Sequence, residues 1–190
     1  WFEALLPALL EQAPRLPDPD AAVAGLLQFL RANKGIALTY QLLAARPAIL
    51  RLLLLAFGCG AAPARLLIAH PEWFEEILAQ GALAPGFDIA GQEPEIAREV
   101  LGAPDDSEAW RRLRLWKEKN FVILALLDIL NIEPEPRLGR LTTDLAEICV
   151  RAVAARVERR LTEFHGAPAA EGAPGGPALR WTMLGLGGFG

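Results

Sequence analysis

The sequence has few of the residues that build metal sites and disulfide frameworks. Its 190 residues include two cysteines and two histidines. Cys59 and Cys149 lie far apart and have no metal-ligand spacing, and the isolated His70 and His165 are poor ligand candidates. We therefore expect neither a disulfide framework nor a zinc site.

A long apolar run and an excess of one charge are also missing. The uncharged stretch that begins at Leu52 is broken by Gly58, Gly60 and Pro63, and it is shorter than the roughly 20 residues that a bilayer requires. The 19 basic and 23 acidic residues give a net charge of −4, which offers no broad attraction for nucleic acid or an anionic membrane. We expect neither as a partner, although a local basic patch remains open.

Helix formers dominate what is present. Leucine, alanine, arginine and glutamate are abundant, 53% of the residues are hydrophobic, and apolar side chains recur at intervals of three and four. The pattern predicts about nine helices and an all-α fold, a multi-helix bundle. Asp20 and Ser107 are the expected N-caps of two of them. The expected core of the two long helices contains these side chains: Trp110, Trp116, Phe121, Val153, Val157 and Leu161. Phe164 is the last residue of the apolar stripe expected on the second of these helices.

The predicted domain organisation has three parts. Residues 1–165 form the helical domain, with short helices in 1–81 and a long helical pair in 92–165. Residues 166–178 are rich in glycine, alanine and proline, which is typical of a flexible linker. Residues 179–190 begin with a short alternating segment that favours a strand and end in a glycine loop. The first residue is Trp1 and the last is Gly190, so we interpret the chain as a piece of a longer protein.

A basic segment on one long helix is the first candidate binding surface. Arg111, Arg112 and Arg114 are followed by two lysines, and tryptophans are interleaved among them. Such a patch can meet phosphates or an acidic protein surface. The alternative is an ordinary solvated helix face whose tryptophans belong to the core.

The second candidate is the C-terminal glycine cluster. Gly185, Gly187 and Gly190 fit the pattern G-x-G-x-x-G directly after the expected strand, where backbone N–H groups could approach a phosphate. A dinucleotide site would also need a following helix and an acidic residue. A plain glycine-rich terminus is the alternative. The paired aspartates are assigned to turns and caps, and no residue is a candidate for nucleophilic catalysis or metal binding.

Three segments together resemble one enzyme family. The first is Leu-Leu-Leu-Ala-Phe-Gly-Cys-Gly at residues 53–60, which continues to His-Pro-Glu-Trp at 70–73. The second is Leu-Arg-Leu-Trp-Lys-Glu-Lys-Asn at 113–120, followed by Ala-Leu-Leu-Asp-Ile-Leu at 125–130. The third is Trp-Thr-Met-Leu-Gly-Leu-Gly-Gly-Phe-Gly at 181–190. Together they are similar to the glutamine synthetase adenylyltransferase family, in the helical region that precedes a nucleotidyltransferase domain.

The resemblance implies a function for the parent protein. Members of the family transfer AMP from ATP to a tyrosine of glutamine synthetase and remove it again, with Mg²⁺, in the bacterial cytoplasm, under a nitrogen-regulatory signal protein. The third segment would open a polymerase-β-like nucleotidyltransferase domain, with Gly185, Gly187 and Gly190 as nucleotide-binding positions. Gly188 stands where the family usually has lysine. The Ser-Asp-x-Asp carboxylates that hold the metal would lie beyond Gly190.

The resulting expectation is a fragment without catalytic residues. It would serve as the helical scaffold or docking part of an adenylyltransferase, with Arg111, Arg112 and Arg114 as weak candidates for partner binding. A non-catalytic helical interaction module or an inactive paralogue is the alternative. A dinucleotide-binding enzyme is a third hypothesis.

Overall fold

Helices are the only regular elements, apart from two short 3₁₀ turns, in the part of the chain that the structure describes. The structure is a computed structural model, and it describes residues 2–33 and 36–167. The nine helices there are α1 Phe2–Gln12, α2 Pro19–Ala32, α3 Ile36–Ala45, α4 Pro47–Cys59, α5 Ala61–Ala69, α6 Glu72–Ala79, α7 Glu93–Leu101, α8 Asp106–Ile129 and α9 Glu135–His165. The all-α prediction is confirmed for these residues. The expected strand and the glycine loop lie outside them.

Two aspartates set helix starts. The Asp18 carboxylate accepts the Ala21 N–H at 2.9 Å and caps α2, and the Asp105 carboxylate accepts the Glu108 N–H at 2.8 Å at the start of α8. The expected caps, Asp20 and Ser107, were wrong because each lies inside its helix. In both cases the chain uses the earlier aspartate, whose side chain satisfies an otherwise unpaired N–H of the first turn.

The chain divides into two compact units. Unit 1 comprises residues 1–87 and 118–138, and unit 2 comprises residues 88–117 and the chain from 139 onward. Helices α8 and α9 therefore each contribute residues to both units.

Unit 1 has an aromatic and leucine-rich core. The Phe29 ring lies 5.8 Å from the ring of Phe57 and 5.9 Å, edge to face, from that of Phe74. Gly25 of α2 packs so closely on α4 that a Cβ atom there would lie 2.7 Å from the Cβ of Phe57. The absence of a side chain at Gly25 thus permits the close approach of the two helices. The leucine run of α4 predicts a helix buried on all sides. Six of its 13 residues are buried, but Arg51 and Cys59 are exposed, so one side of the helix faces solvent.

A buried carboxylate secures the loop that follows α6. Glu133 accepts the Gly86 N–H at 2.5 Å and pairs with Arg137 at 3.0 Å. Arg137 also donates to the Phe87 carbonyl at 3.0 Å. The Gly86 hydrogen bond is the main reason that the pKa of Glu133 is lowered. The loop tip is therefore held by a charged group, and Gly86 itself has a φ of 87°, which favours glycine.

Unit 2 has a smaller, aliphatic core built from α7 and parts of α8 and α9. Its buried apolar side chains are Ile89, Ile96, Val100, Ala103, Ala109, Leu113, Leu141, Leu145, Ile148 and Ala152. Trp116 is half-buried and its indole N–H donates to the Gln92 side chain at 3.1 Å. Trp110 is also half-buried.

Helix α9 differs most from its prediction. It was expected to begin near Thr142 but begins at Glu135, because Pro136 occupies the first turn, where its missing N–H costs nothing. The core assignment of its apolar stripe was wrong in the second half of the helix, and that of Phe121 on α8 was wrong too. The exposed fractions are 37% for Val153, 43% for Val157, 54% for Leu161, 83% for Phe164 and 41% for Phe121.

Candidate functional site

The three arginines predicted as a binding surface lie near the start of α8, and they have different surroundings. Arg111 donates to the Glu108 carboxylate at 2.7 and 2.8 Å. Arg112 donates to the same carboxylate at 2.7 Å and to the Glu99 carbonyl of α7 at 3.4 Å. Arg114 is exposed and has no ion pair among the residues that the structure describes.

Glu108 is the electrostatic centre of this surface. Hydrogen bonds from Arg111 and then Arg112 lower the pKa of its carboxyl from 4.5 to about 2. The carboxylate is thus ionised at neutral pH and neutralises part of the local positive charge. Two guanidinium groups against one carboxylate still leave an excess of positive charge, which exposed Arg114 and Lys117 extend along the helix.

These contacts separate a structural residue from two candidate binding residues. Arg112 ties the end of α7 to α8 and is only partly exposed. Arg111 and Arg114 present more of their side chains to solvent. The structure therefore favours Arg111 and Arg114 over Arg112 as the groups that an acidic partner would meet.

A second arginine cluster, which sequence reasoning missed, joins α9 to α7 and α8. The side chain of Arg156 is 11% exposed, and its guanidinium donates to the carbonyls of Val100, Leu101 and Ala103 at 3.2, 3.1 and 2.9 Å. It also lies 3.3 Å from Asp106, which Arg160 contacts as well. These carbonyls lie in the last turn of α7 and just beyond it, where helical hydrogen bonding ends, so a cation there is well placed.

The signal for that cluster was present but ambiguous. Arg156, Arg159 and Arg160 follow one another near the end of a long amphipathic helix, which is typical of a solvated face. The side chain of Arg156 is buried by its contacts with the end of α7, which is distant in the sequence. Arg159 and Arg160 remain mostly exposed.

The other predicted site lies outside the described residues. Gly185, Gly187 and Gly190 belong to the part of the chain beyond residue 167, so their assignment to a nucleotide loop stays a prediction. Within residues 2–33 and 36–167, no three histidine, cysteine, aspartate or glutamate side chains come together as a metal site. Both cysteines are free thiols, with Cys59 exposed and Cys149 half-buried, and burial raises the pKa of Cys149.

No single helix of the described chain is long and apolar enough to cross a membrane. Two helical segments pass that test only as a pair, Thr39–Ala45 with Pro47–Cys59, and they are bent by 109° where they meet.

The described part of the chain is thus a helical protein with an exposed basic surface on α8. Comparison with known proteins identifies it further. The family described as glutamate-ammonia ligase adenylyltransferase matches residues 51–190, most of the chain. The chain belongs to this family.

Individual relatives agree with the family match. A "bifunctional glutamine synthetase adenylyltransferase/adenylyl-removing enzyme" of Stenotrophomonas maltophilia strain K279a is 30% identical over 189 residues, which is 100% of this chain and 19% of that protein. The protein of the same name from Thioalkalivibrio sulfidiphilus is 28% identical over 171 residues, 88% of this chain and 17% of its own length. That of Xanthobacter autotrophicus is 28% identical over 170 residues, 85% of this chain and 16% of its length.

The chain thus spans less than a fifth of the length of these curated relatives. No solved structure matches it significantly.

Proposed function

We propose that the chain is the helical region that leads into a nucleotidyltransferase domain in an enzyme that transfers AMP to glutamine synthetase and removes it. The observation that carries the proposal is the family match, which extends from α4 through the glycine cluster at the end of the chain. The relatives' names describe the same two activities. In this proposal residues 1–165 are the helical domain, 166–178 the linker and 179–190 the start of the catalytic domain.

The chemistry is assigned to the parent enzyme and not to the helices. AMP transfer of this kind uses ATP, with Mg²⁺ supplying charge neutralisation at the phosphates when it is bound. The described residues do not fit Mg²⁺, because they offer no cluster of three metal-binding side chains. We derive no catalytic step from them. Gly185, Gly187 and Gly190 are the proposed nucleotide contacts, and Gly188 is the position where the usual lysine is replaced.

The proposed role of the helical region is docking. An exposed basic surface, formed by Arg111 and Arg114, offers charge to an acidic face of glutamine synthetase or of a nitrogen-regulatory signal protein in the cytoplasm. Charge complementarity of this kind raises the association rate and makes binding sensitive to salt. Arg112 is left out of the proposed contact surface because it joins α7 to α8.

A second candidate function is a non-catalytic interaction module or an inactive paralogue. Gly188 favours it, since glycine at that position removes a cation that would lie near the nucleotide phosphates. The docking surface is the same in both cases. The two candidate functions are distinguished by measuring AMP transfer by a protein that contains this chain and a following nucleotidyltransferase domain. Transfer supports the first, and its absence supports the second.

Binding to glutamine synthetase tests the docking proposal directly. We expect the 190-residue chain to bind, and Arg111→Ala with Arg114→Ala to weaken binding roughly fivefold or more and to flatten its dependence on salt. Calorimetric or optical titration at two ionic strengths provides the measurement.

The matched control is Arg31→Ala with Arg51→Ala, which removes the same charge from exposed arginines of unit 1. The control should leave the affinity unchanged. No binding by the unmodified chain, or equal losses in both double variants, would refute docking through this surface.

A further inference from the structure

The Glu108 carboxylate lies within the proposed docking surface, and both neighbouring arginines bind it. Its Oε2 accepts a hydrogen bond from Nε of Arg111 at 2.7 Å, and its Oε1 accepts one from Nη2 of Arg111 at 2.8 Å and one from Nε of Arg112 at 2.7 Å. Arg111 therefore donates two hydrogen bonds side by side, the arrangement in which a guanidinium group also binds the carboxylate of another molecule. A carboxylate of the chain itself thus already occupies the position proposed for a partner.

Local structure holds Glu108 in this position. It lies in the first turn of α8, where the positive end of the helix dipole favours a carboxylate, and its N–H donates to the Asp105 side chain at 2.8 Å. Arg111 and Arg112 follow it by three and four residues, the spacings at which side chains of a helix meet. Because the pKa of Glu108 is lowered to about 2, the carboxylate is ionised at neutral pH and competes with other anions for both guanidinium groups.

The contact between Glu108 and Arg111 is open to exchange. The side chain of Arg111 is 53% exposed, so a carboxylate that arrives from solvent reaches its guanidinium group. An ion pair at this exposure is weak, since water screens it. Displacement from Arg111 would not leave Glu108 unpaired, because Arg112 keeps its own hydrogen bond to the same carboxylate and is held by the Glu99 carbonyl at 3.4 Å.

Arg114 supplies a second contact close to the first. Its side chain is exposed, and within the described ranges no ion pair involves it. It follows Arg111 by three residues, a rise of about 4.5 Å along the helix. Exchange of Glu108 for one external carboxylate replaces one ion pair by another, so it yields little gain. A second carboxylate on Arg114 adds an ion pair, so two carboxylates in one molecule bind where a single one does not.

We infer that Glu108 is an internal competitor on the docking surface and restricts its partners to polypeptides with at least two closely spaced carboxylates. One partner carboxylate displaces Glu108 from Arg111 and the other binds Arg114, while Glu108 stays on Arg112. The inference rests on the proposed docking function and specifies the chemistry of the partner that this surface binds.

Binding of poly(L-glutamate) to the full 190-residue chain tests the inference without glutamine synthetase. Glu108→Gln removes the competing charge, so this variant should bind the polymer about threefold or more tightly than the unmodified chain at low ionic strength. In the Arg111→Ala background the same substitution should give no gain, since the contact for which Glu108 competes is gone. Fluorescence anisotropy of a labelled polymer measures all four affinities.

Glu95→Gln is the matched control, because it removes the same charge from an exposed position of unit 2 without an arginine partner in the described chain. It should leave the affinity unchanged. Acetate tests the requirement for two carboxylates. At the carboxylate concentration of the polymer, it should displace the polymer no better than chloride at the same ionic strength. Circular dichroism checks that each variant keeps its helices.

Four results would overturn the inference. Equal affinities of Glu108→Gln and the unmodified chain would show that Glu108 does not compete. A gain that persists in the Arg111→Ala background would assign the effect to net charge alone. Displacement by acetate would remove the requirement for two carboxylates, and no binding of the polymer by any variant would show that the surface does not accept carboxylates. If the polymer results are as expected but glutamine synthetase does not bind, the inference stands and the docking proposal alone is refuted.

Discussion

In unit 1 the buried apolar side chains include four aromatic ones, Phe29, Phe57, Trp73 and Phe74, among many leucines. In unit 2 the buried apolar side chains are aliphatic, and arginines make most of the polar contacts between its helices. In unit 1 the Phe29 ring contacts the rings of both Phe57 and Phe74. In unit 2, Arg156 reaches three carbonyls at the end of α7 and Asp106 at the start of α8. Unit 1 thus depends mainly on apolar burial, and unit 2 depends more on directed polar contacts.

This contrast bears on function. The apolar side chains that stabilise unit 1 are removed from water, so they do not contribute to its surface. The arginines that stabilise unit 2 by charged hydrogen bonds lie at or near its surface. The basic surface of Arg111 and Arg114 and the uncovered stripe of α9 both belong to unit 2. Both of these exposed surfaces therefore lie in the unit with the smaller core.

The largest expected effect is loss of an aromatic side chain from unit 1. Phe29 is fully buried, so Phe29→Ala should lower the free energy of unfolding by about 3–5 kcal/mol. Phe121→Ala is the matched control in the same unit, and because that ring is 41% exposed it should cost less than half as much. Urea unfolding followed by circular dichroism measures both, and equal losses would contradict the core described for unit 1.

The next effect is loss of the buried arginine of unit 2. Arg156→Ala should lower the free energy of unfolding by about 2–3 kcal/mol, because it leaves carbonyls at the end of α7 without their charged donor. Arg156→Lys should recover only part of the loss, since an ammonium group cannot reproduce the guanidinium fork.

Arg140→Ala removes an exposed arginine from the same helix and should change stability by no more than about 0.5 kcal/mol. If Arg156→Ala were as mild as Arg140→Ala, the polar contacts of unit 2 would not be important for its stability.

The smallest effect concerns pH. The pKa of Glu108 is lowered from 4.5 to about 2 in the folded chain, chiefly by hydrogen bonds from Arg111 and Arg112. A lowered folded-state pKa means that the contribution to stability is complete above about pH 4.5 and is lost as the pH falls towards 2. The stability difference between the unmodified chain and Glu108→Gln should shrink across that window.

Unfolding by urea at a series of pH values measures this dependence. Glu95→Gln, which removes an exposed carboxylate without an arginine partner among the described residues, is the control. A difference that stays constant from neutral pH to pH 2 or so would contradict the assignment of the Glu108 bonds.

The sequence predicted the helices better than it predicted their surroundings. The sequence predicts helices over Phe2–Gln12, Ile36–Ala45 and Glu93–Leu101, and α1, α3 and α7 have these bounds. Prolines, glycines and periodic leucines are local signals, so such helix ends can be predicted. The exposure of the apolar stripe of α9 could not be predicted in the same way. Periodicity shows that one face of a helix is apolar, but it does not show whether another element covers that face.

The candidate site was predicted in part for a similar reason. The run of cations on α8 was visible in the sequence, but the distinction between Arg112 and Arg114 depends on the Glu99 carbonyl of another helix. Arg156 was missed because its partners lie fifty or more residues away in the chain. Contacts between distant segments decide which of several similar arginines is structural.

Hydrogen–deuterium exchange of the chain, alone and with glutamine synthetase, tests most directly the central claim that docking occurs through the basic surface of α8. The account predicts that glutamine synthetase slows amide exchange around Arg111 and Arg114, and that exchange in α2 and α4 of unit 1 does not change. Slowed exchange confined to unit 1, or no change anywhere at saturating glutamine synthetase, would contradict the claim.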